Sequence, residues 1–182
     1  MTVFSTALFD WLNVIAADFP VVILELYLFN WVPNNSIGIE LVNKGHRHGY
    51  QTFSVNQIGS LIRLCKILKY KYFIKKENFL GHSDIAPLRK KDPGEKFPWK
   101  LLAKYKIGQW HHVDDKKCKL TRKLKLSNNE KFYKLLFKFG YFLSKKPLDR
   151  IKILKSFQRR FRPELINGLA DEECYLIIKS ML

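Results

Sequence analysis

No lysine or arginine precedes Lys44 and no histidine precedes His46. A secretory leader opens on a basic stretch, so the apolar start, residues 1–32, is not read as one. Asp10, Asp18 and Glu25 interrupt that start, and no uncharged apolar run reaches the roughly eighteen residues a spanning helix wants. A transmembrane segment is therefore not expected. Cysteine is scarce as well. Cys65, Cys118 and Cys174 are the only three, widely spaced and without a C-x-x-C, which excludes a disulfide framework and a cysteine-based metal knuckle. They read as core or bystander thiols.

What is abundant is positive charge. The chain of 182 residues carries 33 basic and 16 acidic side chains, a net charge of +17. Residues 1–50 hold four acidic against two basic groups, a net −2, so the rest carries +19. Such a field attracts polyanions, whether nucleic acid, anionic lipid or wall polymer. A hydrophobic content of 47% is enough for a core, and the length suits one ordinary domain, or a medium one with a small one appended.

Along the chain, Phe19-Pro20 divides the start into a possible helix, Thr6–Asp18, and a buried strand, Val21–Phe29. Ile37–Val42 reads as a second strand. A lone Glu40 among its apolar neighbours is either an edge-strand surface residue or a group bordering a polar cleft. His46 and His48 are two apart, so they could chelate on an extended backbone, while Gly45 and Gly49 favour a flexible loop. Ser54 and Gln57 form a capping box opening a helix that buries Ile58, Leu61, Ile62, Cys65 and Leu68. Phe79-Leu80 is expected as a short strand leading into His82.

Gly81 to Trp99, G-H-S-D-I-A-P-L-R-K-K-D-P-G-E-K-F-P-W, is the segment with chemistry in it. Pro87, Pro93 and Pro98 each remove a backbone donor, so the stretch reads as a long loop. Loops of this length are more often functional than connecting. His82, Asp84, Lys90 and Asp92 within it supply imidazole and carboxylate donors of the kind zinc takes, with a solvated charged loop as the plain alternative.

The same residues resemble those of zinc-dependent N-acetylmuramoyl-L-alanine amidases of the amidase-2 family, which are similar to peptidoglycan recognition proteins. The family's G/A-H-S-D-I-A-P, R-K-x-D-P-G and F-P-W strings are matched at Gly81–Pro87, Arg89–Gly94 and Phe97–Trp99. The likeness runs from about Asn34 to about Trp110. It implies that His82 and Asp92 are ligands of a Zn²⁺ ion and that Glu40 exchanges a proton with its water. It also implies that Lys90 stabilises the oxyanion, with Asp84 structural or orienting. The reaction implied is cleavage of the amide between N-acetylmuramic acid and the L-alanine of a peptidoglycan stem peptide. In the family another zinc ligand is a His on an N-terminal strand. With none here before His46, the chain is expected to lack the N-terminal part of the amidase domain.

The fold class implied is α/β: a truncated, mixed-sheet amidase-2 domain over residues 33–112, then a small three-helix domain. Residues 113–126 read as a charged linker, with His111-His112 as a solvated terminus before it. In residues 127–182, Ser127 and Glu130 form a second capping box, and Gly140 ends that helix. A helix from Pro147 is expected to bury Ile151, Leu154, Phe157 and Phe161, and Asp171 caps a third. F-Q-R-R-F-R-P at Phe157–Pro163 and N-G-x-x-D-x-E at Asn167–Glu173 resemble peptidoglycan-binding domains. The partner implied is peptidoglycan or a muropeptide. A homologue that binds the wall without hydrolysis is the alternative, and a basic nucleic-acid binder using Tyr70, Tyr72, Phe73 and Tyr105 lacks any readout motif. Compartment stays open between bacterial envelope and cytoplasm.

Overall fold

The computed structural model describes the backbone of Val22–Ile23 and all of residues 36–182. The helix expected at Thr6–Asp18 and most of the strand expected at Val21–Phe29 lie outside the described residues. The chain divides into two compact units, residues 1–73 and 74–182.

In the first unit, β1 (Val22–Ile23) pairs antiparallel with β2 (Glu40–Leu41), Ile23 opposite Glu40. This short ladder is the whole sheet among the described residues, where a mixed sheet was expected; only Glu40 and Leu41 of the run Ile37–Val42 find a partner. Helix α1 (Val55–Tyr72) starts as the sequence predicts. The Gln57 amide donates to Ser54 Oγ at 3.1 Å while Gln57 Oε1 accepts from the Ser54 amide at 3.0 Å. Ile58, Leu61, Cys65 and Leu68 are buried as expected, joined by Leu64, whereas Ile62 is only half-buried. Gln57 Nε2 also donates to the Val42 carbonyl at 2.8 Å, which ties the end of the strand run to the helix start.

The second unit opens with a 3₁₀ turn, Lys76–Asn78. Phe79-Leu80 follows without a strand ladder, a correction to the sequence reading, because no described segment pairs with it. Helices α2 (His82–Ile85), α3 (Trp99–Lys104), α4 (Asp115–Thr121), α5 (Asn129–Phe139), α6 (Pro147–Phe161) and α7 (Glu172–Lys179) complete it. Its core is aromatic. Phe132, Phe157 and Phe161 are fully buried, with Phe157 and Phe161 ring centroids 5.2 Å apart and Phe132 meeting Phe157 edge-on at 6.0 Å.

Three local readings change. The charged run 113–126 is not structure-poor. Asp114 caps α4 by accepting the Lys116 and Lys117 amides, and Cys118 and Leu126 sink into the core. On α6, Ile151 is exposed and Ile153 takes the buried place. His111 is buried rather than solvated, stacked on Trp110 with centroids 4.9 Å apart. The three cysteines are buried thiols, as expected; burial pushes Cys65 and Cys174 up to about 12.

Candidate active site

The site is built on one helical turn. Gly81 precedes α2, and its amide donates to Asp84 Oδ2 at 2.8 Å while the Asp84 amide returns a bond to the Gly81 carbonyl at 3.0 Å. This reciprocal pairing satisfies donors that a helix start leaves open. The turn closes with Ala86 donating to the His82 carbonyl at 2.9 Å, and the Arg89 and Lys90 amides then fold back onto the Ala86 carbonyl at 3.1 and 3.0 Å. The chain thereby reverses, and the Ser83 amide reaches the Asp92 carbonyl at 2.8 Å.

That reversal brings together two of the four residues singled out. His82 Nδ1 and Asp92 Oδ2 are 2.9 Å apart, with side chains 32% and 59% exposed, so the pair is open to solvent. Lys90 is half-buried in the same loop, and among the described residues no hydrogen bond or ion pair holds its ammonium. Glu40 lies on β2 in the other compact unit, with its side chain exposed. His46 stacks on Tyr50 at 4.4 Å in the turn after β2.

Asp84 behaves differently from Asp92. Its carboxylate is 7% exposed and saturated: Oδ2 takes the Gly81 amide and the Arg160 guanidinium, and Oδ1 accepts from Tyr141 Oη at 2.7 Å. It shapes the turn rather than presenting a free donor. Next to this carboxylate, burial and the negative charge push the Tyr141 hydroxyl well above its ordinary pKa, so it stays a donor. Phe97 and Trp99 pack edge to face at 4.8 Å and are buried, anchoring the far end of the loop as expected.

The donors present suit zinc in type, an imidazole nitrogen and a carboxylate oxygen. Catalytic zinc takes about three protein ligands. Among the described residues no cluster of three His, Cys, Asp or Glu side chains occurs, so the pair fits as part of a ligand set. Sequence reading missed Arg160, Ser156 and Tyr141, which hold this loop; only Arg160 lay inside a motif it had noticed.

A family model described as N-acetylmuramoyl-L-alanine amidase matches residues 17–95. That span contains Glu40, His82, Lys90 and Asp92, and it starts upstream of Asn34, where the sequence likeness was expected to begin. Among curated proteins the chain is similar to N-acetylmuramoyl-L-alanine amidase AmiD of Escherichia coli K12, 36% identical over 158 residues, covering 82% of this chain and 57% of that protein. It is also similar to 1,6-anhydro-N-acetylmuramyl-L-alanine amidase AmpD of Haemophilus influenzae, 40% identical over 65 residues, covering 35% of this chain and 33% of that one. Of solved structures, E. coli AmiD in complex with anhydro-N-acetylmuramic acid-L-Ala-D-gamma-Glu-L-Lys aligns at TM-score 0.65 and 35% identity, over 74% of this chain and 54% of that one. AmpDh3 of Pseudomonas aeruginosa with anhydromuramic pentapeptide aligns at 0.63 and 31%, over 72% and 54%. The chain thus spans a little over half the length of AmiD.

Proposed function

We propose that this chain is a peptidoglycan amidase homologue that cleaves the amide between N-acetylmuramic acid and L-alanine of the stem peptide. Its likeness to AmiD and AmpD supports peptidoglycan amidase function. The observation that carries the reading to particular residues is the 2.9 Å approach of His82 Nδ1 to Asp92 Oδ2 inside the segment that matches the amidase family.

His82 and Asp92 are assigned as holders of a zinc ion. The chemistry such an ion supplies when bound is polarisation of the scissile carbonyl and acidification of a water. Glu40 is assigned to take the proton of the attacking water and hand it to the leaving amine nitrogen as the carbon–nitrogen bond breaks. Lys90, a cation without a partner among the described residues, is assigned to oppose the charge growing on the carbonyl oxygen. The C-terminal helices are assigned to wall affinity through their exposed lysines. The Arg160 and Arg162 side chains of F-Q-R-R-F-R-P are buried.

The test combines zinc content by mass spectrometry with release of stem peptide from an anhydromuramyl-peptide under metal-replete conditions. Stoichiometric zinc and release, both lost in His82→Ala and Asp92→Ala, are expected, with Lys90→Ala costing about 10²–10³ in kcat. Absence of metal and of release in the parent chain overturns the hydrolase. A second reading, binding of wall fragments without hydrolysis, draws on the two-residue ligand set among the described residues. Sedimentation of the chain with purified sacculi, in the absence of release, would establish it.

A further inference from the structure

In sequence, Phe157–Pro163 resembles wall-binding modules. In the structure Phe157, Gln158, Arg160, Phe161 and Arg162 are all buried, Arg160 4% exposed and Arg162 1%. A buried guanidinium cannot meet a hydrated polymer. It needs partners inside the molecule, because desolvating it without them is costly. Arg162 finds its partners at the start of α7, in Asp171 and Glu173. Arg160 finds its own on the metal-type loop. One Nη donates to Asp84 Oδ2 and the other to the Phe79 carbonyl at 3.0 Å, while the guanidinium carbon Cζ lies 4.0 Å from the Trp99 ring centroid.

One side chain therefore grips both ends of Phe79–Asp84 and rests on the tryptophan that closes the loop. One turn earlier on α6, Ser156 Oγ donates to the Ser83 carbonyl at 2.5 Å. The Ser83 amide in turn donates to the Asp92 carbonyl. His82 is thus flanked by the one residue Ser156 holds, and Asp92 hangs from that same residue. The fork geometry explains why arginine is needed, since a lysine offers one point charge in place of two directed donors.

We propose that Arg160, with Ser156, is a positioning residue for the His82–Asp92 pair, and that F-Q-R-R-F-R-P braces the catalytic loop instead of touching the wall. The inference rests on the proposed zinc role of that pair, and its test separates the two. Zinc affinity is measured by competition with a chelating dye for the parent chain, Arg160→Lys, Ser156→Ala and Ile178→Val. The last is a packing loss on α7, remote in bonding from the loop. Each is checked for folding by circular dichroism.

Arg160→Lys and Ser156→Ala are expected to weaken zinc by about tenfold, the low end of what losing a ligand's own outer partners does, because both act through the backbone beside the ligands. Ile178→Val should lower the melting temperature and leave zinc affinity unchanged. Equal affinity in Arg160→Lys and the parent overturns the proposal, and so does a loss in Ile178→Val as large as in Arg160→Lys. If the parent takes no zinc, the zinc reading has failed and the brace is read on the metal-free chain by amide hydrogen exchange. Faster exchange at Ser83 and Ala86 in Arg160→Lys, with α7 unchanged, supports it; unchanged exchange overturns it. Arg160→Lys should still sediment with sacculi, and loss of that binding with zinc affinity intact also overturns the proposal.

Discussion

A β-carbon on Gly81 would lie 2.7 Å from Cδ of Pro93 and 3.3 Å from both Asp84 Oδ2 and Trp99 Cζ2. The backbone there is ordinary, φ −83°, so the glycine is required for space and not for a left-handed turn. The sequence shows a glycine before a histidine and permits a turn; it cannot show that Pro93, twelve positions on, occupies the room a side chain would need. Gly81→Ala is expected to cost about 1–3 kcal/mol, the usual range for overpacking a filled site. Urea unfolding should show a lower midpoint with an unchanged slope, which marks lost stability without a change in compactness. An unchanged midpoint would mean that the loop relaxes without resistance. Asp84 shows how far the reading goes. The resemblance implies a structural or orienting carboxylate, and the structure bears that out; its distant partners, Tyr141 and Arg160, are what only the fold reveals.

Elements announced themselves where the signal is local. Ser54 and Gln57 are three apart and bond as a capping box, and Asp171 accepts the Cys174 amide at 3.0 Å as the cap of α7. Where two polar residues compete for one cap, the outcome depends on the approach of the chain. At the start of α5, Asn128 and not Ser127 is the cap: its Oδ1 accepts the Lys131 amide at 3.0 Å from an extended φ of −147°. Asn128→Ala is therefore expected to cost about 1 kcal/mol, and Ser127→Ala a few tenths at most. Thermal melts of the two variants distinguish them, and equal losses would place the cap elsewhere. On α6 the expected Leu154, Phe157 and Phe161 are buried, and only the first position of the face differs. Ile151 and Ile153 sit two apart near the helix start, and periodicity alone does not say which faces Phe132 and Phe161. The structure buries Ile153 and leaves Ile151 38% exposed.

At the scale of the whole molecule, the string of letters from Gly81 to Trp99 was the legible part, because its donors are neighbours in sequence. The support behind it was not legible, since Arg160 and Asp84 are 76 positions apart and contact between distant segments leaves no local signal. His111 belongs to that illegible class. Next to a second histidine in a charged stretch it reads as solvated, yet it is 8% exposed against Trp110. Burial first, and then the charge of Lys100, hold its imidazole below the ordinary value; Asp115, the Phe161 carbonyl and Glu173 pull the other way without cancelling this. The unfolded chain binds that proton near its ordinary pKa of about 6.5, and the folded chain resists it until lower pH. In that interval the unfolded state carries more protons, so stability rises with pH. The contribution is complete above about pH 6.5 and is lost as pH falls toward the depressed folded value. Melting temperature should therefore drop between pH 7.5 and pH 5.5, and His111→Phe should flatten that part of the profile while keeping the stack on Trp110. An equally steep profile in His111→Phe would move the acid sensitivity to another group. The Asp171 carboxyl answers at lower pH. Burial alone would raise it, but the Cys174 amide and Arg162 outweigh that and hold it below the carboxylate range, so its share disappears only as pH falls below about 3.9. Two acid steps, the first removed by His111→Phe and the second retained, are what a titration of the melting temperature should record.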